Sequence, residues 1–155
     1  MNGNARVVEL LNAFLTHELT SVNQMFLHAR MCEHWGYGRL AKRVRDESVE
    51  EMRNADRLVE RILYLEGLPN LQRLGKVNVG ETVPEQLTLD LDVERTAIRL
   101  LNDAIEACRA AGDDGSRGLL SEILEREEKH ASWLETQLGL IAQLGAATYL
   151  AQQLG

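Results

Sequence analysis

Proline is nearly missing from this sequence: Pro69 and Pro84 are the only two, and both lie near the middle of the chain. Because proline breaks helix interiors, the long stretches on either side are free to be helical. Cysteine is equally scarce, and Cys32 and Cys108 form no CxxC pair. The two thiols read as core or interface filling, in a chain long enough to bury a core without disulfides or structural zinc. No apolar run approaches the roughly 18 residues of a membrane span. The opening "MNGNARVVELLN" lacks the basic start and continuous apolar segment of a signal peptide. Both observations predict a cytoplasmic protein with no membrane partner. Basic residues are in the minority, 17 Lys and Arg against 24 Asp and Glu, a formal charge of -7. Nucleic acid is excluded as the main partner, since phosphate binding needs concentrated Lys and Arg; cations are the guests such a chain suits.

What is present is helical patterning over one expected domain, residues 1–155, with 45% apolar and 26% charged residues. Val8, Leu11, Phe14 or Leu15, Val22 and Phe26 recur at a helical period and predict a first helix over about 4–35, closed by Gly36 and Gly38. Leu40, Val44, Leu58, Ile62 and Leu65 predict a second over about 39–66, stopped by Gly67 and Pro69. Thr82-Val83-Pro84-Glu85 has the form of a capping box and opens a third over about 82–111, carrying Leu87, Leu91, Ile98, Leu101 and Ile105. A fourth follows "GDDGS" over about 116–143, with Leu120, Ile123, Leu134, Leu138 and Ile141, and a short fifth over about 146–154 carries "AATYLAQQL". The only long connection is residues 67–81. Helices of this length run roughly 40 Å, and fifteen extended residues reach about 50 Å, so the connection can cross the full bundle. Its scattered Leu68, Leu71, Leu74, Val77 and Val79 predict a strap packed on the surface. Two hairpins joined by one long crossover is the ferritin-like form of the all-α four-helix bundle.

On each of the four stripes one position that should be apolar is a carboxylate: Glu18, Glu51, Glu94 and Glu127. A buried, unpaired glutamate is costly, and four facing one another would be driven to protonate unless a positive charge sits among them. Glu18 to Glu51 is 33 residues and Glu94 to Glu127 is also 33, so each hairpin repeats one design, Glu then Glu-x-x-Asn54 or Glu-x-x-His130. One Glu from each of two helices plus Glu-x-x-His from each of the others is the ligand set of carboxylate-bridged di-iron bundles. Oxygen-rich ligands with few imidazoles favour iron or manganese, with zinc as a competitor. Solvated glutamates falling in register by accident are the alternative. Met52, about 100° round the helix from Glu51, must face outward when Glu51 faces inward.

At these residues the chain resembles the bacterioferritins. The likeness runs through "NQMFLHARM", "ADRLVERILYLEGLPNLQRLGKVNVGE" and "SEILEREEKHASWLETQLGLI", nearly the whole length. The resemblance implies ferroxidase ligands at Glu18, Glu51, Glu94, Glu127 and His130, with Glu51 and Glu127 bridging two irons. It implies self-assembly into a hollow twenty-four-subunit shell that oxidises Fe(II) with dioxygen or peroxide and stores ferric mineral. It also implies haem b between paired subunits, held axially by Met52, and a ferredoxin as electron donor; interface filling is the plainer role for Met52. Asp46 and Glu50 resemble the family's inner-surface iron site, though two acids on a helix also suit a solvated face. Glu66 and Glu135 match positions that line a pore between subunits.

Two residues depart from the family pattern: Asn54 stands where histidine is usual, and Met25 where tyrosine is usual. Asn54 offers only a weak amide oxygen, so the iron on its side is expected to bind less tightly. No other histidine compensates: His28 is ten residues from Glu18, about 15 Å along the helix, and His34 is farther. His17 is turned about 100° from Glu18 and reads as a surface or interface residue. Two functional readings follow. One is an iron-storing ferroxidase subunit; the other is a haem-bearing structural subunit, weak in oxidation, in a mixed shell beside a second, catalytically complete subunit type. A di-iron oxygenase or peroxidase of small substrates finds no further redox motif to support it.

Overall fold

The computed structural model describes residues 2–155. Among them the order is α1 (Ala5–His34), α2 (Gly38–Tyr64), α3 (Val83–Ala110), α4 (Asp114–Leu144) and the short α5 (Ala146–Ala151), with no strand. This is the ferritin-like four-helix bundle with a short C-terminal helix.

Three of the four long helices, α1, α3 and α4, start where a side chain takes up orphan backbone N–H groups, whereas Tyr37 before α2 gives no side-chain cap. The Asn4 side-chain oxygen accepts from Arg6 and Val7, and that of Asp113 accepts from Ser116, which starts α4 two residues earlier than expected. Thr82 accepts from the Glu85 N–H as a capping box predicts, but the Glu85 carboxylate reaches past Thr82 to the N–H of Glu81, 2.9 Å away. The stop of α2 also differs from expectation. The left-handed residue is Glu66, at φ 61°, and the N–H groups of Glu66 and Gly67 close onto the carbonyls of Leu63 and Ile62. That pairing is a Schellman cap, and Gly67 serves it by closeness: a Cβ there would lie 2.7 Å from Val8.

The core has two parts. One gathers Leu11, Phe14, Leu15, Leu58, Ile62, Leu101, Leu120 and Ile123; the other gathers Met25, Cys32, Leu40, Leu87, Leu91, Leu134 and Tyr149. On every long helix the division falls at the same level, between Leu15 and Met25, Val44 and Ala55, Leu91 and Ala97, Ile123 and Ala131. Glu18, Glu51, Glu94 and Glu127 occupy that level. The helical period also included Phe26, which is 57% exposed; periodicity marks a residue as apolar without saying whether the core or an outer face receives it. Both cysteines are buried, and burial first raises their thiols, Cys32 to about 12 and Cys108 to about 11.

The crossover corrects the expectation of an apolar strap packed on the surface. Leu68, Leu71, Leu74 and Val79 are exposed, and the inward contacts are polar. Asn12 bonds both the Leu68 carbonyl and the Asn70 N–H; Thr20 accepts from Gly75, Gln24 from Asn78, and His28 Nε2 from Gly80. At its end the Gln86 side-chain amide donates to the Gly80 carbonyl, and a Cβ on Gly80 would sit 2.5 Å from the Gln86 backbone nitrogen. His28 completes this latch by holding Asp90 of α3 through Nδ1 at 2.9 Å. Since Nε2 accepts, the neutral ring carries its proton on Nδ1.

Candidate metal centre

Glu18 comes from α1, Glu51 and Asn54 from α2, Glu94 from α3, Glu127 and His130 from α4. All six side chains are buried, none more than 4% exposed. Atoms of Glu51, Glu94, Glu127 and His130 lie within 4.8 Å of one another, close enough for one ion to touch all four. His130 Nδ1 is 3.0 Å from Glu94 Oε1. Yet Nδ1, both Glu94 oxygens, Glu18 Oε1, Glu51 Oε2 and Glu127 Oε2 have no hydrogen-bond partner, and buried polar atoms are seldom left so. Such a donor set, three carboxylates and an imidazole with free lone pairs, fits a divalent cation.

The electrostatics agree with this. Burial, then the Glu127 carboxylate, pushes the Glu18 carboxyl up to about 8. Burial and the neighbouring acids, Glu18 first among them, hold Glu51 well above the ordinary value; burial and then Glu127 do the same for Glu94. Burial lowers His130, against the pull of Glu47 and Glu127, and so favours the neutral ring that a metal requires. A metal entering the cluster would displace protons from the acids.

Asn54 does not present its oxygen to the acids, contrary to its expected role as a weak oxygen ligand. Its amide nitrogen donates to Glu18 Oε2 and to Glu127 Oε1, both at 3.2 Å. Glu18 therefore belongs to the buried group but not to the four atoms that converge.

Two further side chains around His130 were not foreseen. Glu47 Oε2 is 3.7 Å from its Nδ1, and the Trp133 ring stacks on it with centroids 6.1 Å apart. Arg43 lies over the Trp133 ring at 4.3 Å and also donates to Glu47 at 3.2 Å. The sequence signal was available: Glu47 is one helical turn before Glu51, and Trp133 three residues beyond His130.

The fold, the level of the acids and the imidazole can now be set beside known proteins. Residues 8–144 match a family described as Ferritin, the ferritin-like domain. A bacterioferritin of Mycobacterium leprae is 48% identical over 152 residues, covering 98% of this chain and 96% of that protein. One of Streptomyces coelicolor is 49% identical over 150 residues, covering 97% and 90%. The chain belongs to the bacterioferritin family. A Rhodobacter capsulatus bacterioferritin, 43% identical over 145 residues, spans 94% of this chain and 90% of its own length.

Against the bacterioferritin pattern the remaining residues fall into place variously. Met52 is 52% exposed, beside Val49 at 46% one turn away. Met25 is fully buried in the second apolar cluster. Asp46 pairs with Lys42 at 2.9 Å, and Glu50 is held by Arg53 and by Arg126 at 2.8 Å, so a cation arriving at either acid meets a side chain already there. Glu66 and Glu135 are exposed, Glu135 at 3.9 Å from Arg95. His17 is not a surface residue: it is half-buried and bonds the Val93 carbonyl of α3 at 2.9 Å. No helix among the described residues is long and apolar enough to cross a membrane.

Proposed function

We propose that this chain is a subunit of a cytoplasmic iron-storage shell, built as one domain, that takes up Fe(II) at the buried carboxylate and imidazole cluster, oxidises it and deposits ferric mineral within. The observation that carries the proposal is the convergence of Glu51, Glu94, Glu127 and His130 at the level where all four stripes lose their apolar residue. Fe(II) is the substrate. Glu94 and His130 would hold it from the second hairpin, Glu51 and Glu127 from the two helices that carry the repeated motif, and Glu47 would draw it toward His130 from the same side. Each Fe(II) gives up one electron to dioxygen or peroxide, and the buried acids release protons as the cation enters.

Exposed apolar residues support assembly. Phe26, Val49, Met52, Leu63, Leu71 and Leu74 are each more than two-fifths exposed, apolar surface that contact with further subunits would cover. The outward Met52 supports haem b held between two subunits of a twenty-four-subunit shell, where it would pass electrons from a ferredoxin to the mineral. The second reading, a haem-bearing subunit of weak ferroxidase activity in a mixed shell, is favoured by the Asn54 amide bonds to Glu18 and Glu127. Fe(II) oxidation by the purified homopolymer tests both. Rapid oxidation that His130→Ala abolishes supports the leading reading, and oxidation at the buffer rate supports the second. A haem absorption band that Met52→Leu removes supports the haem assignment; its persistence in that variant overturns it.

A further inference from the structure

The two hairpins are related by an offset of 76 residues, which pairs Glu18 with Glu94, Glu51 with Glu127 and Asn54 with His130. Around the metal centre this relation fails twice, and both failures fall on the same side. His130 leaves Nδ1 unpaired and directed at the acids, whereas Asn54 spends its amide hydrogens on Glu18 and Glu127. The same offset pairs Glu47 with Ile123. Glu47, 3.7 Å from His130, is therefore an additional acid on one side, and a fully buried isoleucine takes the equivalent place on the other. The cluster that can surround one ion contains Glu51, Glu94, Glu127 and His130, and omits Glu18.

We infer that the centre is built for one divalent cation, held by Glu51, Glu94, Glu127 and His130, and that the Asn54 amide takes over the part of a second cation by donating to Glu18 and Glu127. An N–H donor and a cation meet the same need of a buried carboxylate, which is positive charge at its lone pairs. In this orientation the amide hydrogens lie where a ligand lone pair would have to point. His130 shows that the opposite side is not damaged in the same way: an imidazole 4% exposed, stacked on Trp133, presents a free nitrogen to three carboxylates. The inference rests on the proposed metal-binding function and specifies its stoichiometry.

Anaerobic titration of the assembled, metal-free protein with Co(II) tests it, since cobalt of low coordination number absorbs intensely in the visible and weakly held surface cobalt does not. The expected result is saturation at one Co(II) per subunit in the natural protein and at two in Asn54→His. Anomalous scattering from cobalt-soaked crystals should place the single ion against His130, and the second ion of the variant between Glu18 and residue 54. Two Co(II) per subunit in the natural protein would overturn the inference while leaving the metal centre intact. One in both proteins would also overturn it, because something other than Asn54 would then limit the site. No intense absorption in either would remove the metal centre itself, and the inference with it.

Discussion

The first hairpin and the second are one design carried out twice, with different results at the level of the acids. In the second, Glu94, Glu127 and His130 converge with lone pairs to spare, and Glu47, Trp133 and Arg43 close around the imidazole. On the Asn54 side, Glu18 is tied to Asn54, and the residues that the offset pairs with Trp133 and Glu47 are Arg57 of α2 and Ile123 of α4. Arg57 pairs outward with Glu122. At the two positions that the offset pairs, Asn54 turns a donor toward the acids and His130 turns an unpaired nitrogen toward them.

The comparison breaks most sharply at Glu127, which serves both halves. Glu127→Ala should lower Co(II) affinity by about 100-fold or more, beyond the loss typical of removing a supporting group. Glu18→Ala should leave it within a few-fold of the natural protein. Equal losses in a calorimetric titration of the two variants would show that the halves are not different.

Metal-free protein should melt at lower temperature as pH rises. Glu18 keeps its proton to about 8 in the fold, while an ordinary unfolded glutamate loses it near 4.5. The unfolded chain therefore binds fewer protons across that window, and the stability present below 4.5 is lost as pH climbs through about 8. Glu51 and Glu94, raised for the same reason, act in the same sense. His130, lowered by burial, acts oppositely below its ordinary 6.5 and flattens the acid end. A fall in Tm on the order of 10 °C between pH 5 and 8 is expected, removed by saturating metal; a metal-free Tm that rises over this range would contradict the buried, protonated cluster.

Asn54→Asp sharpens the comparison from the other side, because it removes the amide donor and adds a fifth acid. Metal-free protein should lose roughly 2 kcal/mol, about 6 °C in Tm. Thermal melts with and without cobalt read this directly, and a variant as stable as the natural chain would show that the Asn54 bonds contribute nothing. The smallest effect belongs to Trp133. Trp133→Ala should weaken Co(II) binding about tenfold by releasing the His130 ring, with Arg57→Ala as the matched substitution that leaves it unchanged.

Much of this was legible in the sequence. Four stripes, two glycine-rich ends and one proline-flanked crossover are local patterns, and helices follow local patterns closely. The level of the acids was legible because a carboxylate interrupting an apolar stripe is conspicuous once for each helix. Which way Asn54 turns its amide was not legible, since oxygen and nitrogen sit on the same carbon and only the neighbours choose between them. Phe26 and the crossover leucines were misplaced for a related reason: an apolar side chain has the same signature whether its partner is its own core or another surface. Glu47 and Trp133 lay one turn from residues already singled out, but a turn on the helix gains meaning only after the bundle brings α2 and α4 side by side.

The crossover carries a consequence for how folding and assembly divide their labour. Its backbone is fastened by Asn12, Thr20, Gln24 and His28, all from α1, while its leucines are turned to the outside. Fastening and display are thus separate properties of one segment. A substitution such as His28→Ala would free the crossover at Gly80 and leave the buried Asp90 without its ring partner, a loss of fold stability, whereas a polar residue at Leu71 or Leu74 would change only what the segment shows to the outside.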